Sequence, residues 1–187
     1  MRTTHRIDVH QHVVPPFWAK AIPDHGGDPS STVLPQWSSD SAIDLMDSQE
    51  IASGILSLTA PGIVGWDQTE RREMARRVNE YTAALVAKRS DRFGNFATVP
   101  LPDVDGALSE IQYALDTLRA DGVILLGNYA EKYLGDSTFE PLWAELDRRQ
   151  AVVFVHPGQP PLQRWPALPA RWSTTRSTPR ERPSSSC

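Results

Sequence analysis

Cysteine is nearly absent from this chain: the single one, Cys187, is the last of 187 residues. No intrachain disulfide can form, and a reducing compartment is the expectation. Long apolar runs are missing as well. No stretch reaches the roughly 20 residues that a membrane-spanning helix needs, and the N-terminus carries no signal-peptide core. A soluble, cytoplasmic protein with no membrane partner is therefore expected. Charge of one sign does not dominate either, since 19 Lys and Arg stand against 23 Asp and Glu for a formal net charge of −4. That balance gives no reason to expect nucleic acid as a partner. A Gly-rich phosphate loop after the first strand is also lacking, which argues against a dinucleotide-binding fold. Proline (16 residues) and tryptophan (six) are in excess, with many of the prolines crowded toward the C-terminus. The length suffices for one domain with a real core.

The opening stretch Arg6-Ile7-Asp8-Val9-His10-Gln11-His12-Val13-Val14-Pro15 organises the rest. Ile7, Val9, Val13 and Val14 favour an extended strand, and Pro15 and Pro16 stop it. Alternate side chains of a strand share a face, so His10 and His12 point the same way. Two such imidazoles are half of a metal clamp, and a catalytic zinc site takes three protein ligands and leaves one position open. On its own the pair suits a solvated strand face equally well. Val152-Val153-Phe154-Val155-His156-Pro157 tips the balance, because it is a second strand with a histidine at its C-terminal end.

Between them the chain alternates strand-like and helix-like segments. Phe17 to Gln36 is Pro- and Gly-rich and polar, and is expected to be a long loop. A short helix follows over Ser41 to Ser48, a strand over Ile51 to Thr59, and a charged helix from about Asp67 to Lys88. Met74, Val78, Tyr81 and Leu85 form the expected buried stripe of that helix. Phe93 to Leu101 is a third strand. Asp103 is the expected N-cap of an amphipathic helix whose apolar stripe is Val104, Leu108, Ile111, Leu115 and Leu118. Gly122 to Leu126 is a fully covered strand, a helix spans about Phe139 to Arg149, and Ala151 to Val155 is the fifth strand. Such alternation implies parallel strands joined by right-handed crossovers. Histidines at the C-terminal ends of the first and fifth strands fit a (β/α)8 barrel, where those ends ring one mouth. The fold class is therefore α/β, a partial (β/α)8 TIM barrel of about five βα units with an irregular C-terminal tail.

Several motifs in order resemble the amidohydrolase-related metal-dependent family. They are Asp8-Val9-His10-Gln11-His12-Val13-Val14-Pro15, Arg92-Phe93-Gly94, Leu101-Pro102-Asp103-Val104-Asp105, Tyr113-Ala114-Leu115-Asp116, Asp121-Gly122-Val123, Asn128-Tyr129, Tyr133-Leu134-Gly135-Asp136 and Val153-Phe154-Val155-His156-Pro157. The branch they resemble is that of aminocarboxymuconate-semialdehyde decarboxylase and the resorcylate-type decarboxylases. The resemblance implies a divalent metal, zinc in most of the family, held by His10, His12 and His156. It implies loss of carbon dioxide from an aromatic or dienoic small-molecule acid, with metal-dependent hydrolysis of an amide or ester as the alternative. Intact relatives are expected to be homo-oligomers. The family's later aspartate ligand and later catalytic histidine find no counterpart here.

Residues 1–163 are accordingly expected to form the N-terminal part of the barrel. From Arg164 onward Arg, Ser, Thr and Pro dominate, and 164–187 is expected to be disordered. The neighbouring reading frame of that tail permits a more apolar text with a Tyr-Pro-Phe-Asp-Thr-Thr-Arg-like run, similar to what the family carries next. A frameshifted, truncated chain without catalysis is thus the second hypothesis beside the enzyme. Trp37 is the candidate substrate contact, the alternative being a tryptophan that closes its loop over the core. His5 and His25 read as solvated or loop residues, and Asp8 as a group orienting a histidine or paired low in the barrel. Glu70 to Arg77 reads as an exposed helix face, and Asn128 and Tyr129 lie at the mouth.

Overall fold

The computed structural model describes residues 6–26 and 34–158. The expected irregular tail at 164–187 lies outside the described residues, as does His5. Strand β1 spans Arg6–Val13, and helix α1 spans Pro16–Ala21, continued by a 3-10 turn at Ile22–His25. Helix α2 (Ser39–Ser48), β2 (Ile51–Leu58), α3 (Gln68–Lys88), β3 (Phe93–Thr98), α4 (Val104–Asp116) and β4 (Gly122–Leu126) follow. A small ribbon pairs β5 (Asn128–Tyr129) with β6 (Lys132–Tyr133), and α5 (Glu140–Arg148) leads into β7 (Val153–His156). The main sheet has the order β1-β2-β3-β4-β7, every neighbouring pair parallel. Strictly sequential parallel strands with helical crossovers make this a partial (β/α)8 barrel. No helix among the described residues is long and apolar enough to cross a membrane.

The helices begin where their caps require. Ser38 accepts from the Ser41 amide, and Asp67 from the Glu70 amide, each with the reciprocal bond of a capping box. Asp103 accepts from the Gly106 amide, as its position before an amphipathic run suggests. The expected loop from Phe17 is corrected at its start, since α1 occupies it. Pro16 stands at the first helical position, where a missing N–H costs nothing. Trp18 is fully buried and donates its indole N–H to the Gly62 carbonyl at 2.8 Å. Six residues are too few to display a helical period, which is why composition pointed to a loop.

Three apolar clusters fill the space between sheet and helices. One joins β3 and β4 to α4 and α5, another joins α1 to α3, and the third joins α2 to β1 and β2. On β1 the register against β2 slips between Asp8 and Gln11, where Asp8 faces Gly54 and Gln11 faces Leu56. Three residues thus advance on one strand for two on the other, a β-bulge. The Gln11 side chain lies over Gly54, whose absent Cβ would meet Gln11 Oε1 at 1.8 Å.

Candidate metal centre

The bulge sits beside the histidines. Asp8 Oδ1 accepts the backbone N–H of His10 at 3.0 Å, an Asx-type turn that holds the extra residue in place. Asp8 thus shapes the strand rather than binding an imidazole ring, a third outcome beside the two the sequence suggested. His10 and His12 then share the inner face of β1, with their Nε2 atoms 2.9 Å apart. His156, at the end of β7, closes the group: its ring lies edge-on to His10 at 4.8 Å between centroids. One ring nitrogen from each of His10, His12 and His156 lies within 4.8 Å of the others. Below them Phe154 packs against His10 and stacks on Phe96 at 5.8 Å, an aromatic floor.

Second partners orient the rings. His156 Nδ1 lies 2.7 Å from the Pro157 carbonyl. A carbonyl only accepts, so Nδ1 carries a proton and Nε2 is the nitrogen left to bind. His12 Nδ1 lies 3.2 Å from Thr59 Oγ1, which leaves its Nε2 free to face His10. Burial and then the nearby His156 lower the pKa of His10, against an opposing pull from Asp8. Burial, His10 and His156 in that order lower that of His12. Both rings are thereby favoured as neutral imidazoles, the form that binds metal. Three convergent ring nitrogens fit a divalent cation with a position left for substrate.

An apolar cleft adjoins the trio. It is lined by Leu58, Ile63, Val99, Leu101, Leu126, His156 and their neighbours, with no Lys or Arg in its wall among the described residues. Tyr129, also in the wall, is almost wholly buried; that burial pushes its phenol up to about 12, and its oxygen accepts the Leu126 N–H. Trp37 does not line this cleft. It is half-buried and packs against the α1/α3 and α2/β1 clusters. His25 stacks on Trp66 at 4.3 Å and lies 3.6 Å from Glu70, remote from the trio. Sequence reasoning missed the bulge at Asp8 and left Tyr129 without a role; a buried tyrosine just past a strand end was the available signal.

Sequential parallel βα units that bring three histidines together at their C-terminal ends define part of a (β/α)8 barrel. The chain belongs to the amidohydrolase family, since the profile described as Amidohydrolase matches residues 7–182. Decarboxylase yanB of Aspergillus niger is 48% identical over 158 residues, covering 81% of this chain and 43% of that protein. The 6-methylsalicylic acid decarboxylase of Penicillium expansum is 43% identical over 159 residues, covering 83% and 49%. The chain thus spans less than half the length of these curated relatives. Among solved structures, an amidohydrolase II matches with a TM-score of 0.79 at 31% identity, over 89% of this chain and 53% of that one. A dihydroxybenzoic acid decarboxylase from Polaromonas, with bound manganese and the inhibitor 2-nitroresorcinol, matches with a TM-score of 0.65 at 26% identity, over 83% and 50%.

Proposed function

We propose that this chain carries the metal-binding half of a decarboxylase acting on an aromatic monocarboxylic acid. His10, His12 and His156 would hold the metal, and the all-imidazole donor set favours zinc, although the Polaromonas relative holds manganese. When bound, a divalent metal there supplies positive charge that orients and polarises the oxygens of an acid. The chain's own residues shape the site around it. Asp8 keeps β1 bulged so that His10 and His12 face one point. The Pro157 carbonyl fixes the proton of His156 on Nδ1, and Thr59 holds the His12 ring in place. The apolar cleft receives the aromatic ring and excludes water, and its wall, without Lys or Arg among the described residues, disfavours a second carboxylate on the substrate. Tyr129 stays a neutral phenol at working pH. Trp37, which does not line the cleft, would contact substrate only from outside its wall.

The observation that carries this reading is three imidazoles within 4.8 Å beside an uncharged cleft that His156 itself lines. The test uses the purified full chain, freed of metal and reloaded with zinc or manganese. Consumption of 6-methylsalicylic acid and release of carbon dioxide are followed together. One metal per chain and acid-dependent carbon dioxide release support the proposal. Absence of stoichiometric metal, or metal binding unaffected by His156→Ala, overturns the site. Metal bound without turnover on any benzoic acid overturns the activity and leaves a metal-binding scaffold.

A further inference from the structure

The ladder between β2 and β3 stops at Leu56 and Asn95, although β2 continues to Leu58 and β3 to Thr98. Successive residues of a strand direct their N–H and C=O alternately to one neighbour and the other. Asn95 gives its carbonyl to the Asp121 N–H on the β4 side. Thr98, three residues on, therefore faces β2, where the ladder has ended. A side chain from α3 takes the vacant place. Asn79 Oδ1 accepts the Thr98 N–H at 2.8 Å, and Asn79 Nδ2 donates to the Thr98 carbonyl at 2.8 Å. These are the two bonds that a strand residue would have made.

The amide cannot be turned around. Its Nδ2 also donates to Glu110 Oε1 at 2.8 Å, and a carboxylate only accepts. Glu110 is 4% exposed and is paired through its other oxygen with Arg76 at 2.9 Å. Asn79 itself is 1% exposed. Leu58 and Thr59 from the end of β2, Thr98 and Val99 from the end of β3, and His156 all line the cleft.

We infer that Asn79 is a positioning residue for the bound acid, a wedge that keeps β2 and β3 apart, with the Glu110–Arg76 pair holding the wedge. The inference rests on the cleft being the acid's binding site. Asn79 touches neither the histidines nor the cleft, so its effect is separable from metal binding. In the full chain, Asn79→Leu keeps the branched shape and removes all three bonds, two to Thr98 and one to Glu110. Its expected result is a KM for 6-methylsalicylic acid raised roughly tenfold or more, through misplacement of these strand ends. Metal content and the visible spectrum of the cobalt-loaded protein stay as in the wild type, and the Thr98 amide exchanges faster with solvent. A folded Asn79→Leu that loses Thr98 protection yet keeps wild-type KM overturns the inference, because the amide would then merely satisfy a strand end. Should that variant not fold, Glu110→Gln replaces it, with a several-fold rise in KM expected and an unchanged KM overturning. If the wild type does not turn over the acid, the proposed function fails, and the wedge is judged separately with o-cresol, a neutral ring. Shifts of the Leu58 and Leu126 methyl resonances on adding o-cresol, weakened in Asn79→Leu, support it; equal shifts in both proteins, or none in either, overturn it.

Discussion

The two ends of the β2–β3 pair meet the same requirement in opposite ways. Backbone groups left over where a parallel ladder begins or ends must find partners. At the N-terminal end a cation closes the gap. Arg92 donates to the Ala52 carbonyl at 3.0 Å, to the Ile51 carbonyl at 3.2 Å and to Asp47 at 2.7 Å, while its own carbonyl accepts the Gly54 N–H. At the C-terminal end the neutral Asn79 amide props the strands apart. A charged clamp fills the space between strands and ties it to the α2 terminus, whereas an amide reaching in from α3 leaves room in front of it. Barrel enzymes place their chemistry at the C-terminal strand ends and their stabilising contacts at the other. Here that division follows from which polar group finishes the ladder.

If the ends differ in this way, substitutions at them should separate stability from binding. The largest effect is expected at the open end. His156→Ala removes one of three converging nitrogens, and metal affinity should fall about 100-fold or more by competitive chelator titration, with activity lost. The thermal midpoint of the metal-free protein should hardly move, because the ring is only half-buried. A large drop in metal-free stability would instead place His156 in the structural half of the comparison. Next comes the closed end. Arg92→Ala leaves two carbonyls and Asp47 without their donor, and should cost roughly 2–3 kcal/mol in urea unfolding. Metal affinity should be unchanged; a change there would mean that the two ends are coupled. Gly122→Ala tests the same end one strand further on. A Cβ at Gly122 would meet the Val152 carbonyl oxygen at 2.4 Å, and backbone cannot rotate out of the way. The expected cost is about 1–3 kcal/mol, again without loss of metal.

The strands and the histidines were legible because period-two alternation and a terminal histidine need only local sequence. His10, His12 and His156 meet because first and fifth strands of a parallel barrel share a mouth, and that topology follows from alternation alone. The helices were read less well. The leucine pattern of α4 pointed to Val104, Leu108, Ile111, Leu115 and Leu118 as its buried stripe. Ile111 is fully buried, but Ala107, Glu110 and Ala114 occupy the centre and the leucines flank it. Hydropathy cannot foresee a buried glutamate, since its place depends on Arg76 and Asn79 from another helix. Tyr81 and Leu85 on α3 are likewise half-buried, while Asn79 and Thr82 lie inside. The bulge at Asp8 was hidden for a similar reason: an Asx turn inside a strand has the same composition as an ordinary strand. Trp37 is half-buried and packs on two of the core clusters.

The smallest expected effect lies just beyond the open end, where Asp103 caps α4, the helix that carries Glu110. Its carboxylate accepts the Gly106 N–H at 3.1 Å and two bonds from Arg72, one of them at 2.9 Å. The Arg72 guanidinium, more than any other group, holds the Asp103 carboxyl down at about 2, against about 4 in an unfolded chain. The unfolded chain therefore takes up this proton first as the solution is acidified. The contribution of Asp103 is complete above about pH 4 and is lost as pH falls toward 2. Asp103→Asn keeps an oxygen for the Gly106 N–H but removes the charge, so its stability should fall less steeply than the wild type's across that window. Asp103→Ala loses the cap as well and should cost about 1 kcal/mol near neutral pH. If either variant also shifted KM, the cleft would depend on how α4 is anchored, and the open end would extend from Asn79 to the cap of the helix behind it.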